Sequence, residues 1–142
     1  ECIYLGNLNA KRDWGHARDY VKGMWMMLQQ DEPDDYVLAT GVSASVREFT
    51  EKAFQAVGIQ LYWEGVDESE IAKDLANEKT VVRIDTNYYR PTEVDLLIGD
   101  ATKAKNKLGW VPSFSLDDLV EEMIQAEFKL LNYKKIKYYN TK

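Results

Sequence analysis

The stretch Tyr36-Val-Leu-Ala-Thr-Gly-Val-Ser-Ala-Ser-Val-Arg-Glu-Phe49, continued by Gly58-Ile-Gln-Leu-Tyr-Trp63, decides the fold class. The nearly continuous apolar run at 36–40 predicts a strand that is buried on both faces of a parallel sheet. Ser45 and Glu48 have the spacing of a capping box, which predicts a helix that Gly58 ends by adopting positive φ. Residues 59–63 then alternate as a strand does. Strand, helix and strand in this order predict an α/β fold with a few mostly parallel strands.

Further elements are predicted on both sides of this unit. The acidic segment 65–79 has no clear period, which leaves a loop or a short helix as alternatives. We expect short strands at Ile3–Leu5 and Thr80–Ile84, an amphipathic helix over about Ala17–Gln30, a short helix from Asp100 to Leu108, and a long helix that begins after Ser115.

Composition excludes several classes of function. The chain has 142 residues and a net charge of −6, which argues against a general nucleic-acid binder because phosphate backbones need a basic surface. No apolar window is long enough for a membrane span, and no signal peptide is visible. With one cysteine and one histidine, neither an internal disulfide nor a zinc site of the usual kind can be built. We expect a reduced, cytoplasmic protein.

Two arginines lie in loops beside residues that restrict the backbone. Arg12 precedes Asp-Trp-Gly15 just before a helix, and Arg90 precedes Pro91, with Glu93 three residues on. A guanidinium matches two phosphate oxygens at once, so two such groups could grip a pyrophosphate while a carboxylate accepts hydrogen bonds from sugar hydroxyls. The residues alone do not show that these loops meet, and solvated or ion-paired arginines remain the alternative.

Several blocks of sequence resemble one enzyme family, the GDP-mannose 4,6-dehydratases, which are extended short-chain dehydrogenase/reductases (SDRs). They stand in the family's order and cover roughly residues 3 to 130. The resemblance implies the C-terminal, substrate-binding portion of such an enzyme over residues 1–133, without a complete Rossmann domain, and a basic tail at 134–142 that frays. The blocks are Gly6-Asn-Leu-Asn-Ala-Lys-Arg-Asp-Trp-Gly-His-Ala-Arg-Asp-Tyr-Val21, Ala39-Thr-Gly41 with Ser45-Val-Arg-Glu-Phe49, Tyr89-Arg-Pro-Thr-Glu-Val94, and Gly99-Asp-Ala-Thr-Lys-Ala104 with Leu108-Gly-Trp110.

The resemblance also assigns roles to individual residues. It implies that Arg12 and Arg90 contact the pyrophosphate of a GDP-sugar from two sides, and that Glu93 contacts the nucleotide ribose. Asn7 and Lys11 are further candidates for nucleotide contact, with solvated loop residues as the alternative. We expect His16 and Asp19 to support the loop that carries Arg12 and not to catalyse, because no partner base or nucleophile lies near His16 in sequence.

The sequence contains no Gly-x-Gly-x-x-Gly or Gly-x-x-Gly-x-x-Gly loop, which such enzymes use to bind a dinucleotide. Tyr133-Lys-Lys-Ile-Lys137 matches their Tyr-x-x-x-Lys pair only in spacing, since it follows the last predicted helix. We therefore expect no catalytic residue in this chain. The resemblance implies an intact NADP-dependent lyase that converts GDP-mannose to GDP-4-keto-6-deoxymannose on the way to GDP-fucose and assembles as a dimer or tetramer. Two alternatives stay open: the same portion of another nucleotide-sugar epimerase or reductase, and a non-catalytic α/β binding module.

Overall fold

A computed structural model describes residues 1–90 and 98–131 of the chain. Two sequence predictions, the ribose contact at Glu93 and the basic tail at 134–142, lie outside the described residues. Within them, no helix is long and apolar enough to cross a membrane.

Within the described residues, the main sheet has four strands, in the order β1 (Ile3–Leu5), β6 (Thr80–Ile84), β5 (Ile71–Asp74) and β4 (Leu61–Glu64). Only β1 and β6 are parallel, with Ile3 opposite Val82 and Leu5 opposite Ile84. The pairs β4–β5 and β5–β6 are antiparallel. A second, two-stranded sheet pairs β2 (Lys11–Asp13) with β3 (Ser43–Ser45) in antiparallel register.

The α/β class is confirmed, but the expectation of mostly parallel strands is wrong. The segment 65–79, for which the sequence left a loop or a short helix open, contains a short 3-10 helix at Asp67–Ser69 and, beyond it, the unpredicted strand β5. The connections of β5 to β4 and β6 are short, and a parallel connection needs a crossover of a dozen or more residues. Antiparallel pairing is therefore the only arrangement that these links allow. Between β1 and β6 the chain is long enough to return, and this pair is parallel.

The strand predicted at 36–40 is not found among residues 1–90 and 98–131, where this segment forms no ladder. Its apolar side chains instead cover a small core. Tyr36 and Leu38 pack against the buried cluster of Ala104, Leu108 and Trp110. An apolar run that is buried by loop packing has the same composition as a central strand, so periodicity could not distinguish the two.

Most boundaries of the four α-helices in the described part of the chain lie where local signals predict. Helix α2 (Val46–Ala56) begins with the predicted capping box, in which the Ser45 hydroxyl accepts from the Glu48 amide, and Gly58 beyond its end has φ 82°. Helix α4 (Leu116–Leu130) begins with the same device at Ser115 and Asp118. The remaining helices are α1 (Ala17–Met27) and α3 (Thr102–Leu108), the latter ended by Gly109 at φ 69°. However, α1 ends at Met27 and not at about Gln30, and the N-cap of α3 is Ala101 and not Asp100.

Candidate functional site

The parallel pair β1–β6 brings two loops to one edge of the sheet. Both strands end at this edge, where ligands bind in open α/β sheets. The backbone N–H of Asp85, just past β6, donates to the Leu5 carbonyl at 2.8 Å. Gly6 then allows the loop after β6 to approach closely, since a Cβ at Gly6 would lie 2.4 Å from the Tyr88 carbonyl oxygen. A glycine at this position is therefore required for the two loops to meet.

An open pocket of about 280 Å³ lies between these loops. It contains Arg12 and Arg90, so the structure brings together the two arginines that the sequence singled out. Asn7 also lines it, whereas Lys11 is not among its lining residues. Its lining thus includes two guanidinium groups, which are side chains that suit an anion. The lining residues are Gly6, Asn7, Ala10, Arg12, Val46, Asn87, Tyr88 and Arg90.

Arg12 is carried by a strand that is fixed on both sides. In the β2–β3 ladder it lies opposite Ala44. Its neighbour Asp13 accepts three hydrogen bonds, from the Thr40 amide at 2.9 Å, the Thr40 hydroxyl at 2.6 Å and the Gly41 amide at 2.9 Å. Side chains alternate along a strand, so Lys11 and Asp13 project away from the face that carries Arg12. This alternation explains why Lys11 does not line the pocket.

Trp14 fixes the other end of this strand. Its indole N–H donates to the Ala44 carbonyl at 2.9 Å, and its ring lies 4.5 Å from that of Phe49 in α2, centroid to centroid. The block Arg-Asp-Trp therefore combines one residue that faces the pocket with two that attach it to the rest of the fold.

Arg90 follows a turn that Asp85 organises. The Asp85 carboxylate accepts from the backbone N–H and the side-chain amide of Asn87, both at 2.9 Å. The Tyr88 amide donates to the Asp85 carbonyl at 3.0 Å. Asn87 and Tyr88 were not predicted as site residues. The spacing of Asp85 and Asn87 is typical of an Asx turn, which would have located the bend but not the surface that it faces.

His16 and Asp19 lie outside the pocket and connect α1 to the chain near α4. His16 is the N-cap of α1, where its Nδ1 accepts from the Arg18 amide at 3.1 Å, and its ring stacks on Phe114. Because Nδ1 accepts, the ring proton of the neutral histidine is on Nε2, which lies 3.3 Å from a Glu122 oxygen. Among the described residues, His16 contacts no nucleophile and no group that faces a substrate.

Asp19 is buried and fully hydrogen-bonded. Its carboxylate accepts from the Ser113 hydroxyl at 2.7 Å, the Ser113 amide at 3.0 Å and the Phe114 amide at 3.1 Å. Burial raises the pKa of Asp19, but these hydrogen bonds outweigh it, so the pKa lies below the ordinary value for aspartate. The Trp110 indole donates to the Asp19 carbonyl at 2.8 Å. Asp19 thus holds the start of α1 against the segment before α4.

Comparison with known proteins decides the family. The sequence profile of the family described as GDP-mannose 4,6 dehydratase matches residues 1–123. This chain is a member of that family. The human GDP-mannose 4,6 dehydratase is 56% identical over 131 residues, which are 92% of this chain and 35% of the human protein. The chain spans about a third of the length of the curated GDP-mannose 4,6-dehydratases that it matches.

Solved structures of more distant nucleotide-sugar enzymes, which are extended SDRs, share the fold. A dTDP-glucose 4,6-dehydratase from Bacillus anthracis in complex with NAD has a TM-score of 0.69 at 16% identity, over 94% of this chain and 36% of its own. A UDP-glucose 4-epimerase from Thermotoga maritima with UDP-glucose has a TM-score of 0.68 at 21% identity, over 92% of this chain and 36% of its own. This chain therefore has the α/β fold of about one third of these enzymes.

Proposed function

We propose that this chain is the nucleotide-sugar-binding portion of a GDP-mannose 4,6-dehydratase, and that Arg12 and Arg90 grip the pyrophosphate of GDP-mannose. The observation that supports this most directly is the pocket that both arginines line at the carboxyl ends of β1 and β6, in a chain of this family. Asn7 contributes a side-chain amide to the lining of the same pocket. Glu93 is proposed as the ribose contact on its position in the sequence motif alone.

The chemical contribution of such a pocket is binding and orientation. Two guanidinium groups offer paired donors to the phosphate oxygens, and each charge-assisted pair contributes more than a neutral hydrogen bond. Holding the diphosphate fixes where the sugar lies relative to the reacting groups, which raises the rate without any proton transfer by the arginines. No residue of this chain is assigned a catalytic role.

We further propose that the whole protein is a cytoplasmic, oligomeric NADP-dependent lyase. A nicotinamide cofactor supplies hydride transfer in such enzymes. The 142 residues contain no glycine-rich dinucleotide loop, so the groups present here do not fit that cofactor and no step is assigned through it. The 56% identity to a GDP-mannose 4,6 dehydratase favours guanine over uracil, since the UDP-glucose enzyme is only 21% identical.

The test is GDP binding to the full-length protein by isothermal titration calorimetry. Removing a guanidinium that grips a pyrophosphate should cost about 1.5–3 kcal/mol, roughly a ten- to hundredfold loss of affinity. We expect Arg90→Ala to show this loss and Arg12→Lys to show a smaller one, because lysine keeps the charge but not the paired donors.

The matched control is Arg83→Ala, which removes an exposed arginine of β6 that is not a lining residue of the pocket. We expect it to leave GDP affinity unchanged. Unchanged affinity in Arg90→Ala and Arg12→Lys would refute the pyrophosphate role, and tighter competition by UDP than by GDP would favour another nucleotide-sugar enzyme.

A further inference from the structure

A bidentate ion pair lies directly behind the pocket wall. Arg47 follows the lining residue Val46 in the first turn of α2. Its NH1 is 2.5 Å from Oε1 of Glu70, and its NH2 is 2.7 Å from Oε2. Glu70 is buried, with 9% of its surface exposed. The free energy lost when two such charges leave water is about as large as the free energy gained from their attraction. The pair is therefore weak evidence for a stabilising role, and it suggests instead that these side chains hold a specific arrangement.

Arg47 is connected to the pocket through two asparagines. Its NH2 donates to the Asn9 Oδ1 at 3.3 Å, and the Asn9 backbone N–H donates to the Asn7 Oδ1 at 2.9 Å. Asn7 lines the pocket. The backbone N–H of Arg47 also donates to the Leu8 carbonyl, and that of Val46 donates to the Ala10 carbonyl, both at 3.0 Å. The loop is therefore attached to α2 on both sides of Asn9.

The other face of Arg47 is closed by an aromatic ring. Its guanidinium carbon lies 4.6 Å from the ring centroid of Trp63 in β4, and the Trp63 indole donates to Glu51 at 2.7 Å. Stacking and a bidentate carboxylate together restrict the guanidinium to one orientation. Lysine offers neither the planar surface nor the paired donors, so it could not make all of these contacts.

We propose that Arg47 is a positioning residue for the nucleotide pocket. Glu70 and Trp63 fix its guanidinium, and the guanidinium fixes Asn9 and through it the side chain of Asn7. This inference rests on the proposed function, since it assigns how the wall of that same pocket is held. The main sheet would then help to support the pocket, because Trp63 belongs to β4 and Glu70 directly precedes β5.

The test compares Arg47→Lys and Asn9→Ala in the full-length protein. We expect Arg47→Lys to weaken GDP binding about tenfold, which is the effect of losing one hydrogen bond to a charged group. We also expect this variant to raise KM for GDP-mannose and to leave kcat nearly unchanged. Asn9→Ala removes the link and leaves the ion pair intact, and Asn9 is exposed. We expect it to weaken GDP binding in the same way, with little change in Tm.

Lys52→Ala is the matched control, because Lys52 lies on the same helix in an exposed ion pair with Asp117. It should change neither GDP affinity nor KM. A lower Tm in Arg47→Lys with wild-type GDP affinity in both Arg47→Lys and Asn9→Ala would overturn the positioning role. If Arg47→Lys does not fold, Asn9→Ala alone decides. Wild-type protein that binds no GDP at all would instead refute the proposed function, so the two failures are distinguishable.

Discussion

Substitutions of Asp19 test how much the charge of its carboxylate, as distinct from its shape, contributes to the stability of the protein. In Asp19→Ala, the amides of Ser113 and Phe114 lose their acceptor. A donor left unsatisfied costs about 1–3 kcal/mol, and the lower value applies here because Ser113 is exposed and water can reach it. Loss of a carboxylate in the first turn of α1 adds about 0.5 kcal/mol. We expect a total loss of about 2–3 kcal/mol in the free energy of unfolding.

Asp19→Asn keeps the shape and one carbonyl acceptor, so we expect a smaller loss of about 1 kcal/mol at pH 7. The folded-state pKa of Asp19 lies below the ordinary value of 3.8. Its charge therefore stabilises the protein fully above about pH 4, and this contribution is lost as the pH falls through the folded-state pKa. The difference between wild type and Asp19→Asn should shrink in the same range.

The assay is urea denaturation of the protein that carries this chain, followed at pH values from 7 down to 3. Glu121→Gln is the control, since Glu121 is exposed and lies beyond the first turn of α4, and this change should alter the free energy by less than about 0.5 kcal/mol. A variant Asp19→Asn as stable as wild type at pH 7, or a difference that stays constant down to pH 3, would refute the reasoning.

Two more predictions concern the loops of the pocket. We expect Gly6→Ala to weaken GDP binding in calorimetry by displacing the loop after β6, because its new Cβ would lie 2.4 Å from the Tyr88 carbonyl oxygen; wild-type affinity would show that the loop can yield. Ser45→Ala and Ser115→Ala remove equivalent helix caps and should each cost about 1 kcal/mol in urea denaturation. Only Ser45→Ala, which adjoins the lining residue Val46, should also weaken GDP binding, and equal affinities in the two variants would contradict this.

Much of the local structure was predictable because its signals act over three or four residues. A serine and an acidic residue three positions later marked the starts of α2 and α4, and Gly58 and Gly109 marked the chain reversals after α2 and α3. The same locality explains the failures. The strand β5 in the acidic segment depends on partners on both sides, which a window of sequence does not contain.

The residues of the candidate site also divide into those that the sequence predicted and those that it did not. The residue types of Arg12 and Arg90 and the family resemblance were available from the sequence, and the family is confirmed. The predicted loop at Arg12 is wrong, because Arg12 lies in the strand β2. Asn87 and Tyr88 were missed, since their place in the pocket depends on the approach of the loop after β6 to Gly6. The pyrophosphate role of the arginines stays a prediction until GDP binding is measured.

The sequence by itself determined the α-helices, most of their ends, the α/β class and the family, because caps, glycine turns and motif blocks consist of neighbouring residues. The tertiary structure decided that Arg12 and Arg90 share a pocket and that Arg47 pairs with Glu70. The first follows from the pairing of β1 with β6, which are far apart in the chain, and the second from the packing of α2 against β4. Closing such loops costs entropy that only the packed sheet repays, so no local pattern records which distant residues will meet.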